Sequence, residues 1–62
     1  MKIIKLTSAI NGIAIYVNVS HLTAFWEDGG VTIITTTCED GIGRVKETPE
    51  EIVKLIEFAW KV

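Results

Sequence analysis

The segment at residues 47–62, ETPEEIVKLIEFAWKV, constrains the fold most, because it predicts the one long helix of the chain. Thr48 is a suitable N-cap, and Pro49 fits the first helical position, where a missing N–H costs nothing. Glu51 follows three residues after Thr48 and completes a capping box. The pattern therefore predicts a helix over residues 49–61.

The apolar face of this predicted helix is wide. At about 100° per residue, its central stripe consists of Ile52, Leu55, Ile56 and Ala59. Two flanks extend the stripe, one with Val53 and Trp60 and the other with Phe58 and Val62. The apolar arc then covers roughly 220°, which is more than one sheet can cover. Either the strands wrap around the helix, or a second subunit covers one flank.

The length of 62 residues indicates a single domain, residues 1–62, with a marginal core of its own. Domains this small usually add disulfides, a metal or oligomerisation. The chain has one cysteine, Cys38, so an internal disulfide is excluded. One cysteine and one histidine are also too few ligands for a closed zinc site within the chain. A hydrophobic content of 48% is more apolar surface than a monomer of this size can bury. We therefore expect a homo-oligomer, a dimer or larger, and an unidentified protein partner.

The charge balance gives no general attraction to nucleic acid. Eight acidic and six basic residues leave a net charge of −2, which also disfavours anionic membranes. No apolar run approaches the length of a membrane span, and no signal peptide opens the chain. With a free cysteine as well, we expect a cytoplasmic protein without a membrane span.

Five strands precede the helix in the sequence pattern. Their predicted ranges are 2–7, 12–18, 22–27, 31–37 and 42–47. Asn11-Gly12, Asp28-Gly29 and Asp40-Gly41 supply turn signals between them. Because the connections are short, we predict an α+β fold with a small antiparallel β-meander of four to five strands, open or barrel-like. One C-terminal α-helix follows the meander.

The hairpin between the third and fourth predicted strands predicts which face of these strands lies in the core. If Asp28-Gly29 is a two-residue turn, Trp26 faces Val31, and the face with Trp26 and Ala24 becomes the core. The opposite face, which carries Phe25 and Ile34, is then half apolar and suited to a second subunit. The predicted oligomer or partner interface is therefore Phe25, Ile34, Val53, Phe58, Trp60 and Val62.

No combination of side chains predicts catalysis, a cofactor or a metal. His21 has no nucleophile or carboxylate at triad spacing, and carboxylates beside Cys38 would raise its pKa rather than activate it. The acidic residues at the turns are Glu27, Asp28, Glu39 and Asp40, without the loop pattern of a calcium site. We therefore expect a protein that is not an enzyme and has no cofactor.

A second functional class remains open. Oligomerisation could gather the basic residues Lys2, Lys5, Arg44 and Lys46 into one surface. The alternative is thus a small nucleic-acid-binding β-barrel, whose aromatic side chains would stack on bases. Salt-dependent retention of an oligonucleotide would discriminate it from the leading class.

The order of these motifs resembles the FlbD/SwrD family of small flagellar-associated proteins, and also short phage and prophage proteins of unassigned role. The most specific segment is Val45-Lys46-Glu47-Thr48, followed by Glu50-Glu51-Ile52; Asn11-Gly12 and the spacing of Tyr16 and Asn18 add to it. The resemblance implies no catalytic residues. The leading prediction is a non-enzymatic, self-associating β-protein that acts through protein–protein contacts.

Overall fold

The computed structural model describes residues 2–37 and 41–61. The elements are β1 (Ile3–Thr7), β2 (Ala14–Asn18), a 3₁₀ turn (Val19–His21), β3 (Leu22–Asp28), β4 (Val31–Thr36), β5 (Ile42–Val45) and α1 (Pro49–Lys61). The order confirms the predicted α+β class, with five antiparallel strands before one C-terminal helix. The predicted strand ends agree to within two residues.

The strands form two sheets and not a single meander. β1 pairs with β2, while β3, β4 and β5 form a second sheet in that order. β2 and β3 do not pair, because the 3₁₀ turn redirects the chain between them; there the Asn18 side chain accepts a hydrogen bond from the Ser20 N–H at 3.0 Å. The two sheets do not close, so the barrel alternative is wrong.

The two sheets meet at the C-terminal end of β1. Ser8 forms an isolated antiparallel bridge with Val45 of β5. On either side of it, the Lys46 N–H donates to the Thr7 carbonyl and the Ala9 N–H to the Arg44 carbonyl, each at 2.9 Å. The end of β1 therefore belongs to both sheets, while its beginning belongs to one.

The β3–β4 hairpin has a different register from the predicted one. Asp28 pairs with Val31, and the turn is Gly29-Gly30, with φ angles of +62° and +85°. Positive φ at both central positions is the hairpin geometry that matches strand twist, and glycine takes it without steric cost. A turn at Asp28-Gly29 would have placed a residue with a Cβ there.

The core lies on the opposite face of the second sheet from the predicted one. Its cluster consists of Ile4, Leu6, Val17, Ile34, Val45 and Ile52, while Ile33, on the predicted face, is buried outside this cluster. Ile34 is 4% exposed and Phe25 packs against the cluster, whereas Trp26 is exposed. The reason is β5, which carries Arg44 on its outer side and the fully buried Val45 on its inner side. Its pairing with β4 determines which side of β4 faces inward.

Helix α1 runs beside β1 and also contacts β3. It begins near Thr7, which bonds to Glu47, and ends near Lys2, which approaches Trp60, so the helix is antiparallel to β1. Ile52 is fully buried, and the rest of the predicted stripe, Leu55, Ile56 and Ala59, packs against the core. The predicted central stripe is confirmed.

Candidate functional site

The two flanks of α1 remain exposed on either side of its polar strip. The first, here called the Trp60 flank, consists of Val53 and Trp60. The second, the Phe58 flank, consists of Phe58, because its predicted neighbour Val62 lies outside the described residues. Phe58 is 68% exposed and Trp60 62% exposed. The helix thus leaves one large aromatic side chain accessible on each side of its polar strip.

The start of the helix is held in place by a capping box. The Glu51 N–H donates to the Thr48 hydroxyl at 3.1 Å, and the Thr48 N–H donates to the Glu51 carboxylate at 2.9 Å. Two free donors of the first turn are thereby satisfied. The predicted cap is confirmed, and it fixes where the exposed flanks begin.

Glu47 ties this helix start to β1. Its carboxylate accepts the Thr7 N–H at 2.8 Å and the Thr7 hydroxyl at 2.9 Å. Partial burial raises the pKa of Glu47, but the two Thr7 hydrogen bonds, its own N–H and nearby Lys46 outweigh burial, so the pKa lies below the ordinary glutamate value. The ionised carboxylate is therefore a structural clamp between residues 40 positions apart.

Two open grooves lie between β1 and the helix, on either side of Phe58. One has a volume of about 350 Å³, and its lining includes Ile3, Ile4 and Ala59. The other, of about 550 Å³, is lined by Lys5, Lys54 and two carboxylates. Lys5, Leu55 and Phe58 line both grooves, and Lys2 also lines the first. The Phe58 flank therefore forms the ridge between a groove whose charged lining residues are lysines, here called the apolar groove for its wall of helix side chains, and a groove with both charges.

The remaining residues of the predicted interface lie elsewhere. Ile34 is in the core and Phe25 is half-buried against it, so this chain itself covers most of both side chains. Val62 lies outside the described residues. Of the predicted set, Val53, Phe58 and Trp60 are the ones that the structure leaves accessible, and their part in an interface stays a prediction.

Three of the four basic residues of the alternative function lie in or directly after β1 and β5, which meet. Lys5 sits between the buried Ile4 and Leu6 on β1, so it projects outward. Arg44 and Lys46 flank buried Val45 and also project outward, close to the end of β1. Lys2 stands apart, with its ammonium group 5.9 Å from the centre of the Trp60 ring.

The residues considered for catalysis or metal binding are scattered. The His21 ring Nδ1 is 2.8 Å from the Thr37 hydroxyl, near the end of β4. Glu27 and Asp28 are exposed at the end of β3, while Cys38, Glu39 and Asp40 lie outside the described residues. Among residues 2–37 and 41–61, no three histidine or acidic side chains are close enough to hold a metal ion.

Sequence reasoning missed Ile3 and the groove beside it. Ile3 is 46% exposed although it belongs to an aliphatic strand. The signal was present, because Ile3 and Lys5 alternate with Ile4 and Leu6 and so share the outer face. A second missed groove, of about 380 Å³, lies between β2 and β5, with Tyr16 and Ile42 exposed at its rim. It exists because the sheets do not close.

No protein-family model, curated protein or solved structure matches this chain. The resemblance to the FlbD/SwrD family therefore stays a prediction. No helix within residues 2–37 and 41–61 has both the length and the apolar character that a bilayer crossing requires.

Proposed function

We propose that this protein is non-enzymatic, associates with its own copies and acts through contacts with other proteins. The observation that carries this proposal is the exposure of Trp60 and Phe58, at 62% and 68%, on a helix whose position is otherwise fixed. Aromatic residues are enriched at protein–protein interfaces, and they contribute much of the binding energy there.

The size of the core favours self-association. Seven hydrophobic side chains are buried among the described residues. A domain near 60 residues buries only about 60% of its unfolded surface, so covering apolar residues in an oligomer adds stability that the core lacks. An interface of standard size takes about 800 Å² per partner, roughly a fifth of the 4338 Å² accessible here.

The charges of α1 favour an antiparallel pair of helices across the Trp60 flank. Glu50 and Glu51 lie in the first turn and Lys61 in the last. In a two-fold pair of antiparallel helices, the acidic start of each helix lies against the basic end of the other. The helix dipoles are then also opposed, so this arrangement lowers the electrostatic energy in two ways.

The test is native mass by light scattering on a sizing column, over a dilution series. We expect the unaltered chain to elute above the monomer mass of 6.9 kDa, and Trp60→Glu to shift it towards the monomer. Ile10→Glu is the matched control, because Ile10 is a highly exposed apolar residue in the β1–β2 connection. Circular dichroism confirms that each variant is folded. A monomeric unaltered chain, or an unchanged mass for Trp60→Glu, refutes self-association across this flank.

Nucleic-acid binding is the second candidate, and one observation favours it. Lys5, Arg44 and Lys46 project from the outer faces of the neighbouring segments β1 and β5, and no carboxylate of the described residues forms an ion pair with Lys5 or Arg44. Three cations on one surface can contact a phosphate backbone. The net charge of −2 opposes this function, so we rank it second.

The experiment for this candidate is retention of a labelled single-stranded oligonucleotide at low and high salt. Binding that weakens steeply with salt, and that falls further in Arg44→Glu, would support it. Lys61→Glu is the control, because Lys61 carries the same charge at the far end of the helix. No retention at low salt refutes this candidate.

A further inference from the structure

The main-chain groups of β1 point alternately towards β2 and away from it. The Ser8 N–H donates to the Ile13 carbonyl, and the Val19 N–H donates to the Lys2 carbonyl, each at 2.9 Å. These two pairs bracket the register of the hairpin. Because antiparallel strands alternate hydrogen-bonded and non-hydrogen-bonded pairs, Ile4 and Leu6 also bond to β2. The groups of Ile3, Lys5 and Thr7 therefore point to the other edge.

The outward groups of Thr7 have partners, and those of Ile3 and Lys5 do not. The Thr7 carbonyl accepts the Lys46 N–H, and the Thr7 N–H donates to the Glu47 carboxylate. Within the described part of the chain, no strand or side chain bonds to the outward groups of Ile3 and Lys5. They form a short free edge, which is a template for one more strand.

A groove of suitable shape runs along this edge. The apolar groove of about 350 Å³ has β1 on one side and Leu55, Phe58 and Ala59 of the helix on the other. A strand added to β1 would place alternate side chains against that apolar wall. The site thus offers main-chain pairing on one side and an apolar surface on the other.

The charges around the edge specify the chemistry of the added strand. Lys2 and Lys5 line the apolar groove, and none of its other described lining residues is acidic. The two carboxylates of the adjoining groove are already engaged, Glu47 with Thr7 and Glu51 with Thr48. An extended segment with apolar residues and at least one carboxylate complements this surface better than a basic segment does.

We propose that the free edge of β1 at Ile3 and Lys5 binds an extended acidic-apolar segment of a partner protein, which adds as a strand in the groove beside α1. Its apolar side chains contact Leu55, Phe58 and Ala59, and its carboxylate lies near Lys5. This inference deepens the proposed protein-contact function and rests on it, but it does not require the copies to associate.

The first experiment selects octapeptides from a random library displayed on phage, with the full chain as bait. We expect the enriched peptides to alternate apolar residues and to carry Asp or Glu. A synthetic peptide of the enriched sequence should then slow amide hydrogen exchange at Ile3 and Lys5. No enrichment, or binding that leaves those two amides unchanged, overturns the proposal.

Two further measurements separate strand addition from general adhesion. Two versions of the peptide are compared, one N-methylated at its odd-numbered amides and the other at its even-numbered amides. One version should lose binding and the other should keep it, because only one set of amides faces β1. Equal loss of binding in both versions overturns the proposal. Lys5→Glu should weaken binding about tenfold. The control Ile10→Glu, which adds a negative charge at an exposed residue outside the groove, should change it less than twofold; equal effects of the two variants overturn the proposal.

The outcome is independent of self-association. The same exchange measurement on Trp60→Glu should show protection of Ile3 and Lys5 even where that variant is monomeric. Failure of self-association therefore leaves this test intact, and failure of peptide binding leaves the native-mass test intact. If the peptide lowers the native mass, a second copy of the chain occupies the edge, and the partner-segment proposal is overturned.

Discussion

The two ends of β1 differ, although they belong to one five-residue strand. At Thr7, the outward main-chain groups bond to Lys46 and Glu47. At Ile3 and Lys5, the corresponding groups face a groove. Both ends have the same backbone chemistry, so the difference comes from where β5 crosses and where the helix begins. An edge is thus closed or open according to distant parts of the chain, and not according to its own residues.

Amide hydrogen exchange should show the largest effect of this difference. The Leu6 N–H bonds to β2 and the neighbouring Lys5 N–H does not. For a stability of about 3–9 kcal/mol in a chain of this size, we expect Leu6 to be protected at least about 100-fold more than Lys5. Two-dimensional NMR after transfer to D₂O measures both. Equal protection would mean that the edge at Lys5 is covered in the free protein.

Replacing the Glu47 clamp should have the next largest effect. Glu47→Gln leaves one oxygen in place of the carboxylate that accepts two hydrogen bonds from Thr7, so we expect a loss of about 1–2 kcal/mol in the free energy of unfolding. Urea denaturation measures it at neutral pH. Glu57→Gln, at an exposed helix position, is the control and should stay within about 0.5 kcal/mol.

The same variant predicts a pH dependence. The folded-state pKa of Glu47 lies below its unfolded value. The contribution of this carboxylate to the free energy of unfolding is therefore fully present above the unfolded pKa and is lost as the pH falls through the folded pKa. The stability difference between the unaltered chain and Glu47→Gln should therefore shrink with acidification. A difference that persists at pH values below the folded pKa would contradict an ionic clamp.

The smallest expected effect comes from comparing a buried and an exposed side chain on the same strand. Ile4 is buried and Ile3 is exposed, and the two are adjacent on β1. The identical change to valine should cost about 1 kcal/mol at Ile4 and less than about 0.5 kcal/mol at Ile3. Urea denaturation of Ile4→Val and Ile3→Val compares them directly. Equal losses would show that Ile3 is buried in solution, as a second copy would bury it.

The elements that depend on local sequence could be predicted. Thr48, Pro49 and Glu51 specify the helix start within a few residues, and the structure has the same hydrogen bonds. The five strands follow from local alternation in the same way. The apolar stripe of the helix could also be derived, because it depends only on the helical period.

The features that depend on distant pairing could not be predicted. The inner face of β4 is set by its pairing with β5, which places Ile34 opposite Gly43 and Thr32 opposite Val45. The predicted use of Ile34 as a contact residue rested on the pairing with β3 alone. The split into two sheets, and with it the free edge at Lys5, depends on a 3₁₀ turn that reads as a simple loop in the sequence.

The contact between Thr7 and Glu47 also has a consequence for folding during synthesis. The two residues are 40 positions apart, and Ile52, which completes the core, follows Glu47. At about 5–20 residues per second, the ribosome takes roughly two to eight seconds to add those 40 residues. During that interval Leu6 has neither β5 nor the helix to pack against, so β1 cannot complete its side of the core until the segment that contains Ile52 has been added.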